Sequence, residues 1–305
     1  MDIGATISQL AILFILLALG YAGCKLNALT PDTGKVLTKL VLNITLPSTI
    51  LASVIGGNLS IDGGETAFFM LFVLFAFFIY IVVAFPIART LSKDKGMRGL
   101  FTACIVFGNV AFMGLPVASA IFGPGAIFYI ALFNVPFWIA IFSYGVLLVS
   151  GKSDSFQLKL LLNPVLIASV LVIPIALSGL RAPDIVVSAL ELTGSITTPA
   201  SMLIIGVMLA QAPIKNVFIK WQFYLLSFVK LILLPILVWF IFRPFIANET
   251  MLGVIVVLSA MPTASLAAIF AIEYDNNPIT ASSTVFLTTM LSGITIPLIV
   301  FLLFI

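Results

Sequence analysis

Phe107-Gly108-Asn109-Val110-Ala111-Phe112-Met113-Gly114-Leu115-Pro116 lies at the centre of an apolar run that is otherwise Leu, Ile, Phe and Val. Proline lacks an N–H and collides with the carbonyl four residues back, and glycine lowers helix propensity further. The run is therefore expected to break near its middle. A second run carries Ser259-Ala260-Met261-Pro262-Thr263-Ala264-Ser265 and should break in the same way. Backbone groups freed inside hydrocarbon need protein, water or ligand to satisfy them, so such breaks line buried cavities. Paired breaks at matching positions point to a transporter's substrate site, whereas either one alone reads equally as a proline kink.

The surroundings of both stretches are those of a membrane. Of 305 residues 62% are hydrophobic, and only 14 Lys plus Arg and 11 Asp plus Glu are present. A soluble chain of this length would carry roughly 76 charged groups. With a mean hydropathy of +1.29, the sequence predicts an all-α polytopic membrane protein. Ten apolar runs are long enough to cross: 5 to 24, 34 to 55, 66 to 90, 97 to 120, 124 to 149, 161 to 180, 184 to 211, 221 to 243, 249 to 270 and 279 to 304. The first has no basic segment before it and no small-residue cleavage site after it, so it is expected to remain as a spanning helix. Cys24 and Cys104 stand in no ligand-like spacing, so neither a disulfide framework nor a metal site is expected.

Charge placement predicts orientation. One side of the ten-span scheme holds Lys25, Lys35, Lys39, Arg89, Lys93, Lys95, Arg98, Lys152, Lys159, Lys215 and Lys220, and the other only Arg181 and Arg243. The positive-inside rule then puts both termini outside, in what reads as a bacterial plasma membrane. The small net charge of +3 speaks to this orientation and not to nucleic acid.

A repeat is visible at a shift of 152, where Ile44-Thr45-Leu46-Pro47-Ser48-Thr49-Ile50-Leu51 aligns with Ile196-Thr197-Thr198-Pro199-Ala200-Ser201-Met202-Leu203. The same shift lays Val110 on Pro262. Five spans precede the second unit, an odd number, so two units, 1–155 and 156–305, would be inserted in opposite directions. Pro47 and Pro199 are candidate hinge positions.

Asn109 to Pro116, the stretch Phe228-Val229-Lys230-Leu231-Ile232-Leu233-Leu234-Pro235, and Met261-Pro262 followed by Glu273-Tyr274 and Pro278 resemble the auxin efflux carrier family, including its bacterial members. The likeness runs over essentially the whole chain. It implies a five-plus-five inverted repeat whose broken fourth and ninth spans cross. Spans one, two, six and seven would form a scaffold and dimer contact, and spans three to five and eight to ten a mobile transport domain. Plant members often place Pro directly before the Asn of span four; Gly108 stands there in this chain, which predicts a softer break. The long loop of several plant members is absent, since only about a dozen residues around the stretch Gly151 to Lys159 join the halves.

Lys230 is the chemical anomaly. It lies 9 residues past Trp221 and 12 before Phe242, so at about 1.5 Å per residue it sits near the midplane. A lysine there costs on the order of 2.5 to 3.5 kcal/mol and needs a polar cavity or counter-charge. An anionic substrate, the carbonyl ends of the broken helices, or loss of its proton would each relieve it; alternatively it only braces the breaks. The candidate substrate site is Asn109, Val110, Gly114, Pro116, Asn134, Lys230, Pro262, Thr263 and Ser265. Asn134 could equally be satisfied by an interhelical hydrogen bond. Lys39 and Glu191 occupy equivalent places near opposite faces and read as helix-end groups.

The leading expectation is a secondary transporter of small organic anions, which the resemblance narrows to carboxylates, moving by an elevator motion, as a homodimer, with a proton or sodium as possible coupling ion and no cofactor. A channel or uniporter, or a sodium-coupled carrier like the bile-acid symporters, is the alternative. An intramembrane enzyme is disfavoured, because zero His excludes His-based triads and metal sites, and the spans hold no pair of Asp. No P-loop motif is present.

Overall fold

The computed structural model describes residues 3–55, 63–151, 163–211, 217–218 and 220–304. Lys152, Lys159, Lys215 and most of the expected junction between the halves lie outside the described residues. The described chain is an all-α membrane fold of twelve helical pieces. These are α1 (Ile3–Lys25), α2 (Asp32–Ile55), α3 (Gly63–Leu91), α4 (Lys95–Val106), α5 (Val110–Phe122) and α6 (Ala126–Ser150). They continue as α7 (Pro164–Ser178), α8 (Asp184–Gln211), α9 (Trp221–Phe242), α10 (Glu249–Ser259), α11 (Ser265–Glu273) and α12 (Pro278–Phe304). Among the described residues seven helices are long and apolar enough to cross a membrane. The fourth and ninth expected spans are instead pairs of half-helices, α4 with α5 and α10 with α11.

Three π-helical turns share one cause. They cover Val41–Thr45, Val110–Gly114 and Val229–Leu233, and Pro47, Pro116 and Pro235 each follow two residues later. The carbonyl that a proline crowds lies four residues back, at Asn43, Phe112 and Leu231, which is the middle of each turn. Widening the turn moves that carbonyl aside without ending the helix. A fourth such turn, Ile141–Gly145, has no proline behind it, and nothing in its surroundings explains it. At Pro199 the helix is interrupted differently, by a kink at Ile196.

Close backbone contact organises one group of helices. A Cβ on Gly20 would stand 2.5 Å from the Leu203 carbonyl oxygen, and one on Gly206 2.1 Å from that of Leu17, so α1 and α8 touch backbone to backbone. The two matching octapeptides also meet: Thr49 Oγ1 lies 2.9 Å from Thr197 Oγ1 and donates to the Gly194 carbonyl at 3.1 Å. α2 packs on both α8 and α7, which joins α1, α2, α7 and α8 into one set.

The remaining helices are tied at both ends of the bundle. At one end Tyr129 of α6 and Asn248, which caps α10, both donate to Glu65 of α3 at 2.8 Å. At the other end Asn276, between α11 and α12, donates to the carbonyls of Gly96 (3.1 Å) and Val149 (2.7 Å). Leu71, Leu74, Phe75, Phe78 and Val82 of α3 are exposed and form an apolar flank of the kind that suits lipid.

The α1–α8 contact gives a direct test. Gly206→Ala should lower the unfolding midpoint of the purified protein, because overpacking costs about 1–3 kcal/mol. Gly125→Ala, whose Cβ would meet nothing within 4 Å, should leave it unchanged. Equal midpoints for both variants would contradict this packing.

Candidate functional site

The two breaks satisfy one another. α4 stops at Val106 and the chain runs extended through Phe107; helix resumes at Val110. Opposite it α10 stops at Ser259 and α11 starts at Ser265. Gly108 and Thr263 form an antiparallel bridge, in which the Asn109 N–H donates to the Pro262 carbonyl at 2.7 Å and the Ala264 N–H to the Phe107 carbonyl at 2.9 Å. Pro262 has no N–H to offer, so it terminates α10 and contributes its carbonyl alone. Gly108 leaves three residues outside regular helix, where a softer break was expected. The close approach accounts for the glycine: a Cβ would meet Met261 Cβ at 3.2 Å, Lys230 Nζ at 3.3 Å and the Leu258 carbonyl oxygen at 3.4 Å.

Thr263 extends the crossing in two directions. Its hydroxyl donates to the Cys104 carbonyl at 3.0 Å, a group that the early end of α4 leaves without its helical partner. Its N–H donates to Thr288 Oγ1 of α12 at 3.2 Å. Thr288 is one of a ladder, Thr280, Thr284, Thr288 and Ser292, spaced by four residues and buried throughout. Ser292 reaches Met113 Sδ at 3.9 Å.

Lys230 enters this crossing from α9. The π-helical turn carries it to the interior at 1% exposure, with its ammonium against Gly108 and 5.6 Å from the centre of the Tyr80 ring. A cation at that distance from a ring face is attracted by the ring quadrupole. The Tyr80 hydroxyl bonds to Ser259 at the end of α10, so α3 and α10 jointly fix the ring. Among the described residues no carboxylate forms an ion pair with Lys230, the one such pair being Lys35 with Asp32. Phe77 packs against Tyr80, Phe107 and Phe133, which seals this side with aromatic rings.

Of the expected site residues, Asn109, Val110, Lys230, Pro262 and Thr263 converge here. Gly114 adjoins α10, where a Cβ would stand 2.7 Å from Leu258 Cδ2. Asn109 is buried with its Nδ2 unpartnered, and Asn134 of α6 is buried with both amide atoms unpartnered. Asn134 is thus not satisfied by an interhelical hydrogen bond. Pro116 is buried in the first turn after the π-helical segment of α5. Ser265 opens instead into a cavity of about 270 Å³ between α8, α11 and α12, with Met208 and Gln211 opposite. A second cavity, about 490 Å³, lies between α2, α8 and the α5–α6 turn and is lined by Thr49, Ser53, Ser119, Glu191, Ser195 and Thr198. Glu191 is therefore an exposed cavity-lining group as well as a helix residue. Pro47, buried, and Pro199, half-buried, belong to the helices beside it.

Tyr80 and Thr288 also reach this crossing, and the sequence reading singled out neither; Ser259, the partner of Tyr80, stood there only as the first residue of the second break. The four-residue spacing of hydroxyls on α12 was a readable signal for Thr288. Tyr80, one ring among phenylalanines, gave none.

Thr263→Val keeps the shape of the side chain but leaves the Cys104 carbonyl buried and unbonded. That should cost about 1–3 kcal/mol, read as a lower unfolding midpoint, with Thr263→Ser restoring most of it. A Val variant as stable as the parent would contradict the hydrogen-bond assignment.

The chain matches the membrane transport protein family over residues 5–158 and 151–300. It is 26% identical over 298 residues to an uncharacterized transporter of Methanothermobacter thermautotrophicus, covering 97% of each chain. It is 24% identical over 300 residues to an uncharacterized transporter of Methanocaldococcus jannaschii, covering 94% of this chain and 95% of the other. The chain belongs to the membrane transport protein family, that of the auxin efflux carriers.

Proposed function

We propose that this transporter is a secondary carrier of small organic anions, carboxylates in particular, which bind where α5 and α11 begin. The observation that carries the reading is a fully buried lysine with no carboxylate partner among the described residues, set against two helix breaks. The N-terminal ends of α5 and α11 bring partial positive charge to the same crossing. Asn109 adds a buried amide N–H₂ without a partner, which suits a carboxylate oxygen.

The two cavities, of about 490 and 270 Å³, flank this crossing and both border α8. This favours alternating access in which α1, α2, α7 and α8 stay fixed, as scaffold and homodimer contact, while the tied set from α3 to α6 and α9 to α12 slides past them. A shared crossing braced at both ends by Glu65 and Asn276 suits motion as one body. We place both termini outside a plasma membrane, on the distribution of Lys and Arg, and leave a proton or sodium as the coupling ion.

A second reading has its own support. The Lys230 amine lies at Gly108, near the C-terminal ends of α4 and α10, where carbonyls carry partial negative charge. In that reading it braces the crossing without touching substrate.

Lys230→Met separates the two. A thermal-shift screen against malate, malonate and indole-3-acetate first identifies a ligand, since binding to the folded state raises its stability. If Lys230 is the counter-ion, the Met variant binds that ligand about 2 to 5 kcal/mol more weakly and the Arg variant recovers part of the loss. A folded Met variant that binds with parental affinity would replace the counter-ion with the brace.

A further inference from the structure

Away from the crossing, a third cavity of about 590 Å³ opens at the end of the bundle where α3 finishes and α4 starts. Arg89 of α3 and Lys95 and Arg98 of α4 line it together with Phe85, Thr102 and Leu147. Its floor is close backbone packing: a Cβ on Gly99 would stand 2.0 Å from the Leu148 carbonyl oxygen, so α4 rests directly on α6.

None of the three cations forms an ion pair among the described residues. The nearest carboxylate in sequence, Asp94, caps α4 by accepting the Met97 N–H at 2.8 Å. Lys95 and Arg98 occupy the first turn of that helix, where the macrodipole already supplies positive charge. Mutual repulsion and the helix end both disfavour this arrangement unless an anion completes it.

The lining also says what kind of anion. The Arg89 guanidinium carbon lies over the Phe85 ring, 4.3 Å from its centre. Phe85 is 49% and Leu147 42% exposed, on the apolar flanks of α3 and α6. Cations and exposed apolar side chains lining one cavity match an amphiphile better than a free ion.

We propose that this cavity binds an anionic phospholipid, its phosphate held by Arg89, Lys95 and Arg98 and its acyl chain lying against Phe85 and Leu147. The site shares no residue with the crossing, and its occupancy is independent of the transported substrate.

Native mass spectrometry of the purified protein, titrated with dioleoylphosphatidylglycerol, dioleoylphosphatidylcholine or sodium phosphate, tests this without any transport measurement. The glycerol lipid should bind more tightly than the choline lipid. Arg89→Gln with Arg98→Gln should weaken it roughly twenty-five-fold, at about fivefold per cation, and leave choline-lipid binding alone. Lys95→Gln, a single exposed change, should weaken it roughly fivefold and keeps the test decisive if the double variant does not fold. Equal affinity for the two lipids, or undiminished preference in the folded variants, overturns the proposal. Displacement of the glycerol lipid by millimolar phosphate would overturn the lipid assignment in favour of a free-phosphate site.

Discussion

Everything central to this transporter depends on one constraint: a helix broken inside hydrocarbon must find partners for the backbone groups it frees. Two breaks meet here, and each supplies what the other lacks. Asn109 donates to Pro262, Ala264 donates to Phe107, and Thr263 covers the Cys104 carbonyl that the early end of α4 exposes. Because the partners come from distant parts of the chain, separating the two half-helix pairs would strand several buried polar groups at once. The crossing therefore joins the two half-helix pairs into one hydrogen-bonded element.

That element is also where charge accumulates. Four helix ends converge, two positive and two negative, and Lys230 brings its amine over the Tyr80 ring. Stability alone would favour filling such a place with apolar side chains. Retaining a buried cation and two amides with unpartnered atoms, Asn109 and Asn134, is the arrangement expected where a polar guest completes the hydrogen bonding. The ties at Glu65, which join α3, α6 and α10, and at Asn276, which join α4, α6 and the α11–α12 turn, lie at opposite ends of the bundle, and cavities border α8 on the side of these helices.

The breaks were legible because proline and glycine act locally. Pro116 and Pro262 announce lost hydrogen bonds whatever surrounds them, and Lys230 is conspicuous in an apolar run. That Asn109 and Pro262 would bond to each other could not be read, since pairing between segments about 150 residues apart is a property of packing. The π-helical turns were hidden for a related reason: proline predicts crowding at the carbonyl four residues back, but whether the chain answers with a kink, as near Pro199, or a widened turn, as before Pro47 and Pro235, depends on neighbouring helices. Tyr80 matters through its placement over Lys230, which nothing along α3 encodes.

The claim that the crossing travels as one body relative to α2 and α8 is tested most directly by distance measurement between spin labels. Labels at Ser53 of α2 and Ser119 of α5 face the same cavity; a second pair, at Ser119 and Ile294 of α12, lies within the tied set. On adding a transported carboxylate, the account predicts a new distance population for the first pair and an unchanged one for the second. A fixed Ser53–Ser119 distance, with change confined to the Ser119–Ile294 pair, would contradict it.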